Sequence, residues 1–152
     1  MKKLLSVMLS FVMVFCLVAC QDSGTAEKTD GNTQQTETTG LWATATYTED
    51  TEIGEGANTV ALAVTAEEKT ITLTLHTDEA TLGSALVALE IVEGTVGDYG
   101  LYISHVNGIK AVYEEDNAYW ALLDGEGNYT TYGVDQAELS GNDSYRLVYT
   151  PA

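Results

Sequence analysis

Beyond its first twenty residues the chain has no phenylalanine and no methionine; Phe11, Phe15, Met1, Met8 and Met13 all lie before that point. Basic side chains are almost as scarce. After Ala19 only Lys28, Lys69, Lys110 and Arg146 stand against 23 acidic residues. A surface that negative repels phosphate backbones, which nucleic-acid binders neutralise with clustered Lys and Arg, so nucleic acid is excluded as a partner. It repels anionic headgroups equally, which excludes peripheral attachment through a basic patch. Proline occurs once, at Pro151, so no ring interrupts a strand before the last residues. Both cysteines, Cys16 and Cys20, fall at the start of the chain, which leaves the rest without a disulfide or a Cys-based metal site.

Lys2 and Lys3 precede an apolar run from Leu4 to Ala19. Sixteen helical residues, at about 1.5 Å each, fall short of a hydrocarbon core roughly 30 Å thick. A basic start, a short apolar stretch and a small residue at its end form a secretory signal. Leu17-Val18-Ala19-Cys20 resembles the lipobox of bacterial lipoproteins. The resemblance implies cleavage after Ala19, a diacylglycerol on Cys20, and an anchor on the outer face of the cytoplasmic membrane, because two or three acyl chains hold where one does not. Membrane lipid is then a partner through Cys20. The plainer alternative is an ordinary cysteine near a conventional cleavage site.

Residues 20–41 form the expected tether. Gln21 to Gly40 holds no aromatic and no large aliphatic residue, so it cannot bury enough area to offset its ordering entropy. Twenty flexible residues span on the order of 25 Å root-mean-square, enough to lift a domain over residues 42–152 off the membrane.

Within that domain the periodicity is two. Leu41, Ala43, Ala45 and Tyr47 alternate with Trp42 and three threonines; Val60, Leu62 and Val64 alternate with Ala61 and Ala63; Ile71, Leu73 and Leu75 alternate with threonines. These predict strands, the last two paired as a hairpin. From Thr81 the spacing changes to three and four through Leu82, Ala85, Leu86, Leu89 and Val92, which predicts the one helix, capped by Asp78 or Thr81 and stopped by Gly94. Asn107-Gly108 between apolar runs predicts a tight hairpin linking Leu101–Val106 to Ile109–Tyr113. Ala118–Leu123, Tyr129–Tyr132 and Tyr145–Tyr149 complete the strands. The fold class is α+β, with a mostly antiparallel sheet and one packed helix.

Catalytic and metal patterns are weak. His76 and His105 lie in predicted strands without ligand spacing such as HExxH. Ser104 and His105 are neighbours, which strand geometry puts on opposite faces, and Ser84 lacks a G-x-S-x-G context. Glu114-Glu115-Asp116-Asn117 is expected as an acidic loop. Asp124-Gly125-Glu126-Gly127-Asn128 superficially resembles a calcium loop but lacks a bidentate Glu at position twelve and flanking helices. The expectation is no enzyme, no metal site and no resident cofactor, with weak calcium binding by acidic loops as a minor alternative. The remaining signal is aromatic: nine tyrosines and two tryptophans. Such residues favour ligand-facing and interface surfaces, although β-propensity accounts for tyrosines in a half-wet sheet equally well.

Four segments, TLGSALVALEIVEG, YGLYISHVNGI, AYWALL and YRLVYTP, in that order, resemble the C-terminal domain of transcobalamin and intrinsic factor. They are more similar still to a related domain-of-unknown-function family of Gram-positive lipoproteins. ATYTEDTEIGEGANTV resembles the opening segment of those bacterial members, so the likeness spans Trp42 to Pro151. It implies a β-grasp-like fold of the soluble-ligand-binding type, with the helix packed on a bent sheet. In transcobalamin this domain covers one face of cobalamin and a helical domain, which this sequence lacks, holds the other. Gly83, Gly100, Asn107 and Gly108 match the motif with backbone roles, close helix–sheet approach and tight turns. Tyr102, Tyr119 and Trp120 match its aromatic positions and are the candidate ligand-facing residues, with Trp120 as a plain core anchor the alternative. Two functions follow. One is a binding module for a small soluble ligand, for example a corrinoid such as cobalamin, passed to an uptake-system protein. The other is a protein–protein or surface-interaction module.

Overall fold

Strict alternation builds the centre of the molecule. The structure, a computed structural model, describes residues 39–152. Strand β1 (Thr51–Gly54), β2 (Asn58–Ala66) and β3 (Lys69–Thr77) form one side of a sheet. In β2 and β3 every second residue is buried: Val60, Leu62 and Val64 lie opposite Leu75, Leu73 and Ile71 across an antiparallel ladder. Each such side chain, fully buried, contributes about 1.5–3 kcal/mol by removing apolar area from water. Ala61 and Ala63 in β2 and Thr72 and Thr74 in β3 lie between them on the other, half-exposed face.

The helix α1 (Leu82–Ala88) covers this face with Leu82, Ala85 and Leu86. It starts where expected: Thr81 Oγ1 accepts from Ser84 N, and Ser84 Oγ accepts from Thr81 N, each at 3.3 Å, a reciprocal cap. Asp78 is not the cap; its carboxylate accepts from Ala57 N instead. The helix ends before its predicted limit of Val92. Glu90 turns left-handed (φ 56°), Ile91 N returns to Leu86 O, and Val92 opens β4 (Val92–Gly97). The two β-branched residues after the turn suit a strand better than a further helical turn. Gly94 therefore lies within β4 rather than stopping the helix.

β4 pairs with β5 (Gly100–Val106), and β5 with the two-residue β6 (Ile109–Lys110), as a separate antiparallel sheet. Asn107 and Gly108 both take positive φ, 53° and 77°, as their hairpin turn requires. The stretch expected to continue as a strand to Tyr113 instead enters α2 (Tyr113–Asp116), one helical turn holding the acidic run predicted as loop, so a short second helix joins the main one. Strand β7 (Ala118–Asp124) and β8 (Asn142–Pro151) finish the first sheet, whose order is β1-β3-β2-β8-β7. β8 runs parallel to β2, with Leu62 beside Tyr145 and Val64 beside Leu147. The fold is α+β, with the strands divided between two sheets around one core.

Two other expectations fail. Residues 41–47 form no strand: Gly40–Thr44 is a tight helical turn. Its reason is Trp42, the largest apolar residue there and out of phase with the alternation. Trp42 is buried, donates from Nε1 to Ala66 O at 2.9 Å, and lies 4.6 Å beneath the Lys69 ammonium. Tyr129–Tyr132 forms only a single bridge, Leu123 to Tyr129. Among the described residues no helix is long and apolar enough to cross a membrane. Cys20 and nearly all of the tether lie outside them.

Candidate functional site

β7 is the edge strand of the five-stranded sheet, and β5 of the smaller sheet passes alongside it. Between them lies a cleft of about 180 Å³ lined by Tyr102, Ile103, Tyr119, Trp120, Leu122 and Val134, among others. All three sequence-derived candidates thus line one cleft. Tyr102 is 48% exposed and Tyr119 is 38% exposed, whereas Trp120 is 8% exposed. Period two puts Tyr119 and Trp120 on opposite faces of β7, and their burial follows it, Tyr119 outward and Trp120 inward. Both residues nonetheless contribute to the lining of the cleft beside this edge strand.

Trp120 is at once anchor and lining. Its ring meets that of Tyr149, the residue opposite on β8, edge-to-face at 5.7 Å. Its indole N–H is buried with no acceptor within the described residues. Leaving a buried donor unpaired costs about 1–3 kcal/mol.

A second hollow, about 600 Å³ and polar, adjoins the first and shares Gly133 with it; Asp98, Tyr99, Thr131, Tyr132 and Gln136 line it. The hairpin between β4 and β5 is tied to this wall by Asp135, whose carboxylate accepts from Leu101 N at 2.6 Å. Two glycines make room for that carboxylate. At Gly100 (φ +104°) a Cβ would lie 2.7 Å from Asp135 Oδ2, and at Gly83 it would strike Oδ1. The close approach at Gly83 is therefore to the turn Val134–Gln136, not to the sheet as expected. Asp135 carries no sequence signature, and only the two glycines could have hinted at it.

Buried Asn107 lies outside both hollows and ties down another part of the chain. Its side chain accepts from Tyr47 N and donates to Tyr47 O, both at 2.8 Å, while its own N–H bonds Ile91 O. A turn residue thereby holds the N-terminal segment against the smaller sheet.

The titratable clusters are occupied elsewhere. Ser104 Oγ lies 3.0 Å from His105 Nδ1, contrary to the expected opposite faces, because the register shifts between Glu93 and Gly94 and leaves Ser104 unpaired in a bulge. The Glu93 carboxylate approaches the same nitrogen at 3.8 Å. A nucleophile relay needs its orienting carboxylate on the other ring nitrogen, so this trio lacks the required arrangement. His76 sits 3.9 Å from Glu52. Asp124 closes its own loop, accepting at Oδ1 from the backbone of Glu126 and Asn128; the Asn128 N–H in particular holds its carboxyl below the ordinary range. Burial, aided by Tyr132 and Asp143, pushes the Tyr145 phenol up. No group of three or more His, Cys, Asp or Glu side chains suited to a metal occurs among the described residues.

No family model and no curated protein matches the chain. Among solved structures it is similar to a suspected metal-binding protein from Ruminococcus gnavus ATCC 29149, with 24% identity over 62% of this chain and 98% of that one, at a TM-score of 0.57. It is also similar to haptocorrin in complex with Cbi, with 18% identity over 62% of this chain and 25% of that one, at a TM-score of 0.46. The first of these likenesses is one of fold.

Proposed function

We propose that this domain is a binding module for a small soluble ligand, held outside the cytoplasmic membrane by a tether lipidated at Cys20. The observation that carries the reading is the cleft at the edge of β7, which Tyr102, Tyr119 and Trp120 line together. Aromatic walls with few polar groups are the usual lining of ligand sites. The domain acts by binding rather than by catalysis, and an uptake-system protein receives the ligand.

The finer form of the reading is a corrinoid such as cobalamin, supported by the resemblance of four ordered segments to transcobalamin's C-terminal domain. A cleft of about 180 Å³ does not enclose a macrocycle. It accepts one edge while the ring lies across the exposed tyrosines. Titration of the protein with cyanocobalamin tests this form, and Tyr119→Ala should weaken binding about tenfold without lowering the melting temperature. Absence of binding at millimolar corrinoid removes the corrinoid and leaves the site. Cell fractionation tests the anchor: Cys20→Ser should release the protein, and a variant still held at the membrane contradicts it.

One observation favours the second reading, a protein-interaction module. The tip of the β4–β5 hairpin presents Val96 and Tyr99, 79% and 99% exposed. Together they offer a partner a small apolar contact at one tip. Calcium binding is weaker as a reading, because Asp124 already uses its oxygens to close its loop.

A further inference from the structure

We infer that the site selects against anions and takes an uncharged or cationic amphiphile, a compact ring carrying a hydroxyl- or amide-rich part. This rests on the ligand-site reading above and deepens it. The two hollows share Gly133 and differ in character. The inner one is walled by Ile103, Trp120, Leu122 and Val134. Its volume of about 180 Å³ is close to the roughly 150 Å³ of an apolar cavity that holds benzene. The outer one offers hydroxyl and amide groups from Tyr99, Thr131, Tyr132 and Gln136. A ligand filling both has a small apolar head and a hydrogen-bonding tail.

Charge decides the rest. Three basic residues occur in the described domain, and each is engaged away from the hollows. Lys69 lies over the Trp42 ring. Lys110 pairs with Glu115. Arg146 donates to Gly125 O at 2.8 Å. The one ionisable group with an acidic charge lining the outer hollow is Asp98, within a chain of net charge −17. An anionic tail there finds no counter-charge and one like charge, and like-charge juxtaposition is how proteins reject wrong ligands.

Two probes with the same head separate these terms: 4-nitrophenyl β-D-glucopyranoside, uncharged, and 4-nitrophenyl phosphate, anionic. Equilibrium dialysis of the full chain should show the glucoside bound at least about tenfold more tightly than the phosphate. In Asp98→Lys, an exposed position, the ratio of the two affinities should shrink at least about fivefold. Equal binding of both probes at one competitive site overturns the charge selection and leaves the ligand site standing. Failure of both probes while cyanocobalamin binds overturns the ring-and-tail assignment alone. Failure of all three overturns the ligand site with it.

Discussion

The Asp135 carboxylate accepts the backbone N–H of Leu101 at 2.6 Å, joining the turn that carries Val134 to strand β5. Val134, next to Asp135, and Leu101 itself both line the aromatic cleft, so this bond holds two of its lining segments together. Asp135→Ala should cost about 1 kcal/mol, since the bond is charge-assisted but exposed. The sharper sign is local. Hydrogen exchange at the Leu101 amide should accelerate while amides of β2 and β3 keep their protection.

Tyr119 and Trp120 should separate in their response to alanine. Trp120→Ala empties a buried site and should cost about 3–5 kcal/mol, whereas Tyr119→Ala should stay within about 1 kcal/mol of wild type. Trp120→Phe keeps a ring against Tyr149 and removes the unpaired N–H, so it should be far milder than alanine. Urea denaturation of the three variants checks the order. If Trp120→Ala is as stable as Tyr119→Ala, the ring is not the anchor its burial indicates.

Asn107 carries two separable duties, a left-handed backbone and a side chain bonded to both backbone groups of Tyr47. Asn107→Gly keeps the first and loses the second; Asn107→Ala loses both. Glycine should cost about 2 kcal/mol and alanine about 1 kcal/mol more. Equal melting temperatures for wild type and Asn107→Gly would show that the N-terminal segment is held by other contacts.

Asp124 gives a dependence on acid. The Asn128 backbone N–H, then the Asn128 side chain, lower its pKa from the ordinary 3.8. A depressed folded-state pKa means a contribution fully present above the ordinary value and lost as pH falls through the lowered one. The stability difference between wild type and Asp124→Ala should therefore be larger at about pH 7 than at about pH 2.5. An unchanged difference would remove the charge from the account of this loop.

Much of the scaffold was legible because local signals agreed with tertiary burial. Val60 to Val64 and Ile71 to Leu75 alternate in phase, Thr81 has Ser84 three residues on, and Asn107-Gly108 has the one backbone geometry its hairpin needs. Illegible features were those set by distant partners. Trp42 left a strand pattern to reach Ala66, and Val92 left a helical pattern because Glu90 turned the chain. The bulge that turns Ser104 toward His105 depends on the register of a neighbouring strand. For the site, the three aromatic positions came from family resemblance. Their meeting in one cleft did not, since it follows from β7 being an edge strand beside β5.

The indole N–H resonances report most directly on whether the cleft is the ligand site. Trp42 donates to Ala66 O, whereas the Trp120 donor has no partner among the described residues, so the pair supplies a control and a reporter in one spectrum. The protein would be titrated with cyanocobalamin and with 4-nitrophenyl β-D-glucopyranoside, the two signals being assigned through Trp42→Phe. The account predicts that the Trp120 signal shifts saturably with at least one of these ligands, that the Trp42 signal stays in place, and that Tyr119→Ala weakens the response. A Trp120 signal unmoved by millimolar concentrations of both, or a shift confined to Trp42, contradicts it.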